Sequence, residues 1–316
     1  MGEVVKVSVI MLTYNREELV GRAIESVLCQ TMKDFEYIIV DNGSSDRSGQ
    51  IAEEYAVKDN RIKVVHIPKS NIGTGRNVGL DLATGDYITF IDDDDTVEPD
   101  MFQTLYELAE QNQSEIAICA VDKTEGDTVT FAGVRGVPFV MTAQEAIITL
   151  MWRKHYSTGF PAKFFKAALF GGIRFPDDEK YDDISMLYKV FARATRIVYH
   201  GVAKYHVYRH ESNNSAITTK DALLSPDYLR DYRKAYRDRT WWLVEKYPEN
   251  TEYWWYFDWS FQISMVHKIM SNQIKNCEEH LLEMQEDLRK NKERFLRFPM
   301  VQEFEKEWMK ECINES

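Results

Sequence analysis

The first 120 residues alternate short apolar runs with amphipathic segments, and this rhythm limits the fold more than any other feature of the chain. The run at 5–13 (VKVSVIMLT) is apolar and β-branched, as are 37–40 (YIIV), 62–67 (IKVVHI), 87–91 (YITFI) and 116–121 (IAICAV). Each is short and bounded by turn residues, so each predicts a buried strand. Helices are expected between them. The first follows Asn15, where Glu18 completes a capping-box pattern. Others are expected around 46–57, from Asn71 and Gly73 to about 83, and from Pro99 to about 111. Such alternation builds an α/β fold with a mostly parallel sheet covered on both faces. Ligands of such sheets sit at the carboxyl ends of the strands. Here those ends carry Thr13-Tyr14-Asn15, Asp41-Asn42-Gly43 and Asp92 to Asp95.

The last of these ends is the most demanding. Residues 90–99 read FIDDDDTVEP, four aspartates in a row. Two carboxylates about 4 Å apart repel by roughly 4 kcal/mol at an effective dielectric near 20. The cluster therefore implies a counter-cation, strong solvation or raised pKa values. Taken alone, it also describes a solvated turn capping the next helix. Composition removes several function classes. A net charge of −12 opposes nucleic-acid binding. No apolar run is long enough to span a membrane. The N-terminus enters a strand pattern without a signal-peptide layout. Four scattered cysteines, Cys29, Cys119, Cys277 and Cys312, suit neither zinc nor a disulfide scaffold. A cytoplasmic location follows as an expectation, with peripheral contact at the inner face of the membrane.

Residues 122–220 are less regular. Thr142 and Glu145 predict a capped helix to about 154, and Asp183 is expected to precede another helix. A strand is expected at 196–200, followed by an apolar-aromatic stretch ending in Tyr208-Arg209-His210. From 221 onward the pattern is long and helical. The predicted organisation is a catalytic domain over 1–220, divided into a nucleotide-sugar half (1–121) and an acceptor half (122–220), with a helical region over 221–316.

Five segments, in order, resemble the family 2 glycosyltransferases: VSVIMLTYN, EYIIVDNGSSD, NIGTGRNVGLDLATGDYITFIDDDD, IRFPDDEKYDDISMLYKVFARA and YHVYRHESNNS. The resemblance covers roughly residues 6–215. It implies a GT-A fold and inverting transfer from a nucleoside-diphosphate sugar, UDP-linked by preference. It also implies a glycan or lipid-linked glycan acceptor, of the bacterial cell-surface polysaccharide type. Asp92-Asp93-Asp94 corresponds to the DxD motif. A sugar diphosphate and an aspartate cluster repel each other unless a divalent cation, Mn²⁺ or Mg²⁺, joins them.

By the same resemblance Asp94 is the direct metal ligand, with Asp92 serving the metal or the ribose and Asp93 filling the variable slot. His210 either completes the metal set or is structural, and Arg209 meets the diphosphate or the protein. Asp41 either accepts a hydrogen bond from the uracil ring or caps a helix. Thr13, Tyr14 and Asn15 line the nucleotide pocket, while Asn71 and Arg76 contact the donor or brace its carboxylates. Asp183 is the general base and Asp182 orients the acceptor or its neighbour. An N-cap role for the pair stands as the alternative. The chain departs from the family at Asn42, where Asp is usual, and at Asp182, where Glu is usual. Lys163 matches a basic position of the family but is expected at the surface.

The stretch 227–242 interleaves basic and aromatic residues. It fits a membrane or lipid-diphosphate contact, or a helix packing on the catalytic domain or on a second subunit, the latter preferred. The aromatic run 254–261 fits a core or an oligomer contact. Two rivals remain: a haloacid-dehalogenase-type phosphatase using Asp92 and Asp94, and a non-catalytic nucleotide-binding scaffold.

Overall fold

In a computed structural model the described residues are 5–177, 181–210, 213 and 224–313. Parts of two family-like segments (178–180, and 211–212 with 214–215) and the expected boundary at 220 lie outside them. The chain divides into two compact units, Met1–His210 and Glu211–Ser316.

In the first unit the strands β1 (Val7–Thr13), β2 (Phe35–Asp41), β3 (Ile62–His66) and β4 (Tyr87–Asp92) form one parallel block in the order β3-β2-β1-β4. The helices α1 (Val20–Leu28), α2 (Ser48–Ala56) and α3 (Ile72–Leu82) connect them. Strand β2 is buried along its whole length and β1 over all but Leu12. That double-sided burial explains why both runs are continuously apolar rather than alternating. Register fixes the rim: Thr13 pairs with Asp41, Leu12 with Asp92, and Asp41 with His66. Three of the polar strand ends expected from the sequence thus stand side by side.

Beyond β4 the sheet is mixed. Short β5 (Thr96–Val97) and α4 (Met101–Gln111) precede β6 (Ile116–Glu125) and β7 (Thr128–Ala132), then β8 (Phe139–Met141), α5 (Ala143–Trp152), β9 (Lys163–Lys166), α6 (Asp182–Phe191) and β10 (Ile197–Arg209). Strand β9 lies antiparallel between β4 and β6, whereas β10 runs parallel to β6. The expected strand at 196–200 and the later aromatic stretch are one strand, joined across an irregularity between His200 and Tyr205. This continuity brings Arg209 and His210 to the rim.

One local expectation and one alternative reading change. Asn15 caps no helix: it has φ 52°, and α1 starts only at Val20 without a side-chain cap. Asn15 Oδ1 instead accepts from the Ser45 backbone N–H at 2.9 Å, tying the loop after β1 to the loop after β2. Asp182 and Asp183 also cap nothing, since α6 begins with them and Tyr181 holds the cap position. The capping box of Thr142 and Glu145 does form.

Helix α3 packs so closely on β1 that a Cβ on Gly79 would lie 2.4 Å from Ile10 Cγ2. Gly79→Ala should therefore lower the melting temperature. Overpacking costs about 1–3 kcal/mol, against about 1 kcal/mol gained in helix propensity. A raised melting temperature in thermal unfolding would mean that Ile10 yields freely.

The second unit is helical: α7 (Pro226–Lys246), α8 (Thr251–Ser271), α9 (Glu278–Arg297) and α10 (Glu303–Cys312). Trp254, Tyr256, Phe257, Trp259 and Phe261 of α8 are buried, so the aromatic run is core. Helix α7 buries Leu229, Tyr236 and Leu243, while Arg233 and Arg237 pair with Glu283 and with Asp258 and Asp287. The stretch 227–242 therefore packs on helices of its own unit, a partner different from the catalytic domain or second subunit expected. No helix among the described residues is long and apolar enough to cross a membrane.

Candidate active site

The rim gathers nearly every residue expected to act. Asp41 leaves β2 with one oxygen, Oδ2, 2.8 Å from His66 Nδ1 and the other accepting from the Ser44 backbone N–H at 3.0 Å. The pair with Asp41 raises the pKa of His66. Gly49 makes room for this pair, because a Cβ there would come within 2.4 Å of Asp41 Oδ2. Asp41 closes a tight turn rather than capping a helix. Next to it, Asn42 grips Ser70, accepting from its backbone N–H at 2.9 Å and its hydroxyl at 2.8 Å. Asn71 follows, and its Oδ1 caps α3 by accepting from the Thr74 N–H at 2.7 Å. Its Nδ2 is buried and has no hydrogen-bond partner among the described residues. A buried donor in that state is costly unless a ligand or water meets it.

The four aspartates are not equivalent. Asp93 accepts from the Tyr14 backbone N–H at 3.2 Å and lies 3.7 Å from Arg16 Nε. Asp94 lies 3.0 Å from His210 Nε2 and 4.0 Å from Arg16 Nε, while its backbone carbonyl accepts from Arg22 at 2.6 Å. Asp95 turns inward and accepts from the Tyr208 backbone N–H at 2.9 Å. Burial, reinforced by the neighbouring carboxylates, pushes Asp92 to about 6, Asp93 to about 7 and Asp95 to about 8. The crowding inferred from four adjacent charges is therefore present. Arg16 and Arg76 offset part of it.

Arg76 reaches from α3 to hydrogen-bond Asp182 Oδ2. Its guanidinium lies 5.4 Å from the ring centres of both Phe160 and Phe175. It also acts electrostatically on Asp92 and Asp183. Arg76 therefore braces carboxylates on two different elements. Asp183 is half-buried; its Oδ1 accepts from the Ile184 N–H at 2.8 Å and its Oδ2 from Thr158 Oγ1 at 3.2 Å. Burial and repulsion from Asp182 raise its pKa, against the pull of Arg76.

With this geometry in view, the model of glycosyl transferase family 2 matches residues 8–180, more than half of the chain. The chain belongs to that family. Among its relatives, the uncharacterized glycosyltransferase EpsJ of Bacillus subtilis is 46% identical over 125 residues, 40% of this chain and 36% of EpsJ. The glycosyltransferase GlyG of Streptococcus pneumoniae is 29% identical over 244 residues, 73% of this chain and 80% of GlyG. The crystal structure of S. aureus TarS 1-349 superposes with a TM-score of 0.67 at 23% identity, over 87% of this chain and 77% of that one. At that identity it shows the shared GT-A fold. Other crystal structures of TarS 1-349 hold UDP-GlcNAc or UDP.

For a family 2 glycosyltransferase the phosphatase alternative falls away. Its nucleophile loop would follow the first strand, whereas here the aspartates follow β4. Among the described residues no group of three or more His, Cys, Asp or Glu side chains gathers as a ready-made metal cage. The expected set of Asp92, Asp94 and His210 is represented by the pair Asp94 and His210. A carboxylate and an imidazole suit Mn²⁺ or Mg²⁺ as a partial set, the remaining ligands being phosphate oxygens and water.

Tyr14 is partly exposed, with Lys69 Nζ 3.0 Å from its ring centre. Arg209 ends β10, and its charge helps burial to lower the pKa of Lys123. Lys163 departs from expectation: it is fully buried rather than at the surface. Sequence reasoning missed Arg16, His66 and Tyr205, whose hydroxyl accepts from the Asp92 backbone N–H at 3.1 Å and hydrogen-bonds the Asp95 carboxylate. Arg16 directly follows the residues read as pocket lining, and His66 ends a strand beside Asp41. Strand-end position was the available signal for both.

Proposed function

We propose that the chain is an inverting glycosyltransferase that moves a sugar from UDP to a hydroxyl of a glycan or lipid-linked glycan. The observation that carries this is a single rim of strand ends, set by register, that holds Asp41 beside Asp92 to Asp95, with Arg76 joining Asp92 to the Asp182–Asp183 pair. In this reading Asp41 meets the base, and Asn71 Nδ2 and Arg209 meet the donor. Asp183 accepts the proton of the acceptor hydroxyl while that oxygen bonds to the anomeric carbon and the bond to the diphosphate breaks. One carboxylate on the face opposite the leaving group makes this a single displacement with inversion.

Asp94 and His210 would hold the divalent cation. Such an ion, when bound, neutralises charge on the departing diphosphate. The UDP and UDP-GlcNAc complexes of TarS support UDP as the nucleotide. The Pyrobaculum calidifontis mannosyltransferase PcManGT, crystallised with GDP-Man and Mn²⁺, supports the metal, at 15% identity and a TM-score of 0.51. The same reading assigns 122–220 to the acceptor side. It places the enzyme in the cytoplasm at the inner face of the membrane, with the C-terminal helices as oligomer contacts.

The test is a thermal-shift screen of nucleotides and UDP-sugars with and without Mn²⁺, followed by UDP release in the presence of octyl glycosides. Selective, Mn²⁺-enhanced stabilisation by UDP-sugars is expected, because ligands that bind only the folded state raise its melting temperature. UDP release dependent on the glycoside should accompany it. Stabilisation without turnover on any acceptor would favour the scaffold alternative instead.

A further inference from the structure

The loop between α5 and β9 carries a device that the expected site does not include. Thr158, nearly buried, donates its hydroxyl to Asp183 Oδ2 at 3.2 Å. Two residues on, Phe160 is fully buried, with its ring centre 4.7 Å from that of Phe175 and 5.4 Å from the Arg76 guanidinium. Arg76 in turn hydrogen-bonds Asp182. One short loop therefore supports both carboxylates at the start of α6, one through a hydroxyl and one through the wall behind an arginine.

What fixes this loop is Lys163. Its side chain is fully buried at the head of β9, and its ammonium donates to the carbonyls of Gly159 at 2.5 Å and Pro161 at 3.2 Å. A buried ammonium is unfavourable unless hydrogen-bonded, and here it closes the loop back on the strand that follows it. Cys119 N–H donates to the Ala162 carbonyl at 3.1 Å, adding a tie to β6. Ala162 itself sits at φ 65°, a conformation that a non-glycine residue holds only when its surroundings fix it.

We propose that Thr158 and Lys163 are positioning residues for the transfer step: the Lys163 ammonium locks the 158–163 loop, and the loop presents the Thr158 hydroxyl to hold Asp183 in its proton-accepting orientation. This rests on Asp183 being the base. Among the described residues, the charged groups that act on Asp183 are Asp182 beside it on α6, Arg76 from α3, Asp92 from β4 and Lys163 from β9. Of these, Arg76 and Lys163 favour its ionised form, as does the Thr158 hydroxyl. Burial lowers the pKa of Lys163 to about 7.

The experiment compares wild type, Thr158→Val, Thr158→Ser, Lys163→Met and Asp183→Asn. UDP release from the donor chosen by thermal shift is followed against pH, and donor affinity is measured separately. Thr158→Val should leave donor affinity within about twofold, lower kcat about tenfold, as for one lost hydrogen bond to a charged group, and move the acidic limb of kcat to higher pH. Thr158→Ser should restore both kcat and the limb. Lys163→Met should shift kcat in the same direction as Thr158→Val; should it not fold, the valine and serine variants decide.

A purely structural loop would change the melting temperature and leave the acidic limb in place. Wild-type kcat and limb in Thr158→Val, with Asp183→Asn inert, would overturn this inference alone. Transfer by Asp183→Asn would overturn the base assignment and this inference together.

Discussion

Asp183→Asn should bind the UDP-sugar with nearly unchanged affinity and transfer it roughly 10²–10⁴-fold more slowly, the range typical for loss of a general base. The substitution keeps the shape of the side chain: the amide oxygen can accept from the Ile184 N–H, and the amide NH₂ can donate to the Thr158 hydroxyl. What is removed is the capacity to take a proton. The pH profile supplies an independent signature. Burial and repulsion from Asp182 raise the pKa of Asp183 above the ordinary carboxylate value. A base works only in its ionised form, so wild-type kcat/KM should fall as pH drops through that raised pKa. The fall approaches tenfold per unit below it. Asp183→Asn should lack this limb. Near-normal turnover, or an unchanged acidic limb in the variant, would remove Asp183 as the base.

Sequence pattern revealed the parallel half of the fold because each of its strands is a continuous buried apolar run, and each run ends in polar turn residues. Register then follows from the parallel pairing, which is why Thr13, Asp41 and Asp92 meet without any long-range information. Strand β9 was not legible. Its four residues, KFFK, look like part of a basic-aromatic loop, and its insertion between β4 and β6 depends on the tertiary fold. The same insertion buries Lys163, which a local reading places at the surface. Asn15 illustrates the opposite failure. Its spacing to Glu18 satisfies a capping rule, but the Ser45 contact from the adjacent strand end holds it in a left-handed turn instead.

The candidate site was legible where residue type alone carries chemistry, as in the aspartates, and obscure where roles are divided by contact. Nothing in DDDD distinguishes its members. In the fold, Asp95 is drawn inward to the Tyr208 N–H, Asp93 is held by the Tyr14 N–H, and Asp94 faces His210. Asp182 and Asp183 diverge in the same way, one toward Arg76 and the other toward Thr158. Arg76 lies between the carboxylates of β4 and α6, which also act on each other directly. A change of charge on either side of it should therefore be sensed on the other.

The second large effect concerns Asp94. Asp94→Asn should abolish the Mn²⁺-dependent part of UDP-sugar binding and leave the Mn²⁺-independent part close to wild type. The loop itself should persist, because the contact with Arg22 uses the Asp94 backbone carbonyl, and Asp93 and Asp95 keep their own backbone donors. An amide oxygen is a much weaker partner for a divalent cation than a carboxylate, and His210 alone supplies no negative charge. With ligand at 100 times its dissociation constant, stabilisation by binding is about 2.7 kcal/mol. A hundredfold loss of affinity would remove most of that shift. Comparing melting temperatures with UDP alone and with UDP plus Mn²⁺ isolates the effect, since a general distortion of the pocket would weaken both. Asp92→Asn is the informative contrast: Asp92 feels the Arg76 charge most strongly among its neighbours. Its loss should perturb turnover more than Mn²⁺-dependent stabilisation. An Mn²⁺-dependent shift in Asp94→Asn equal to wild type would take Asp94 out of the metal site.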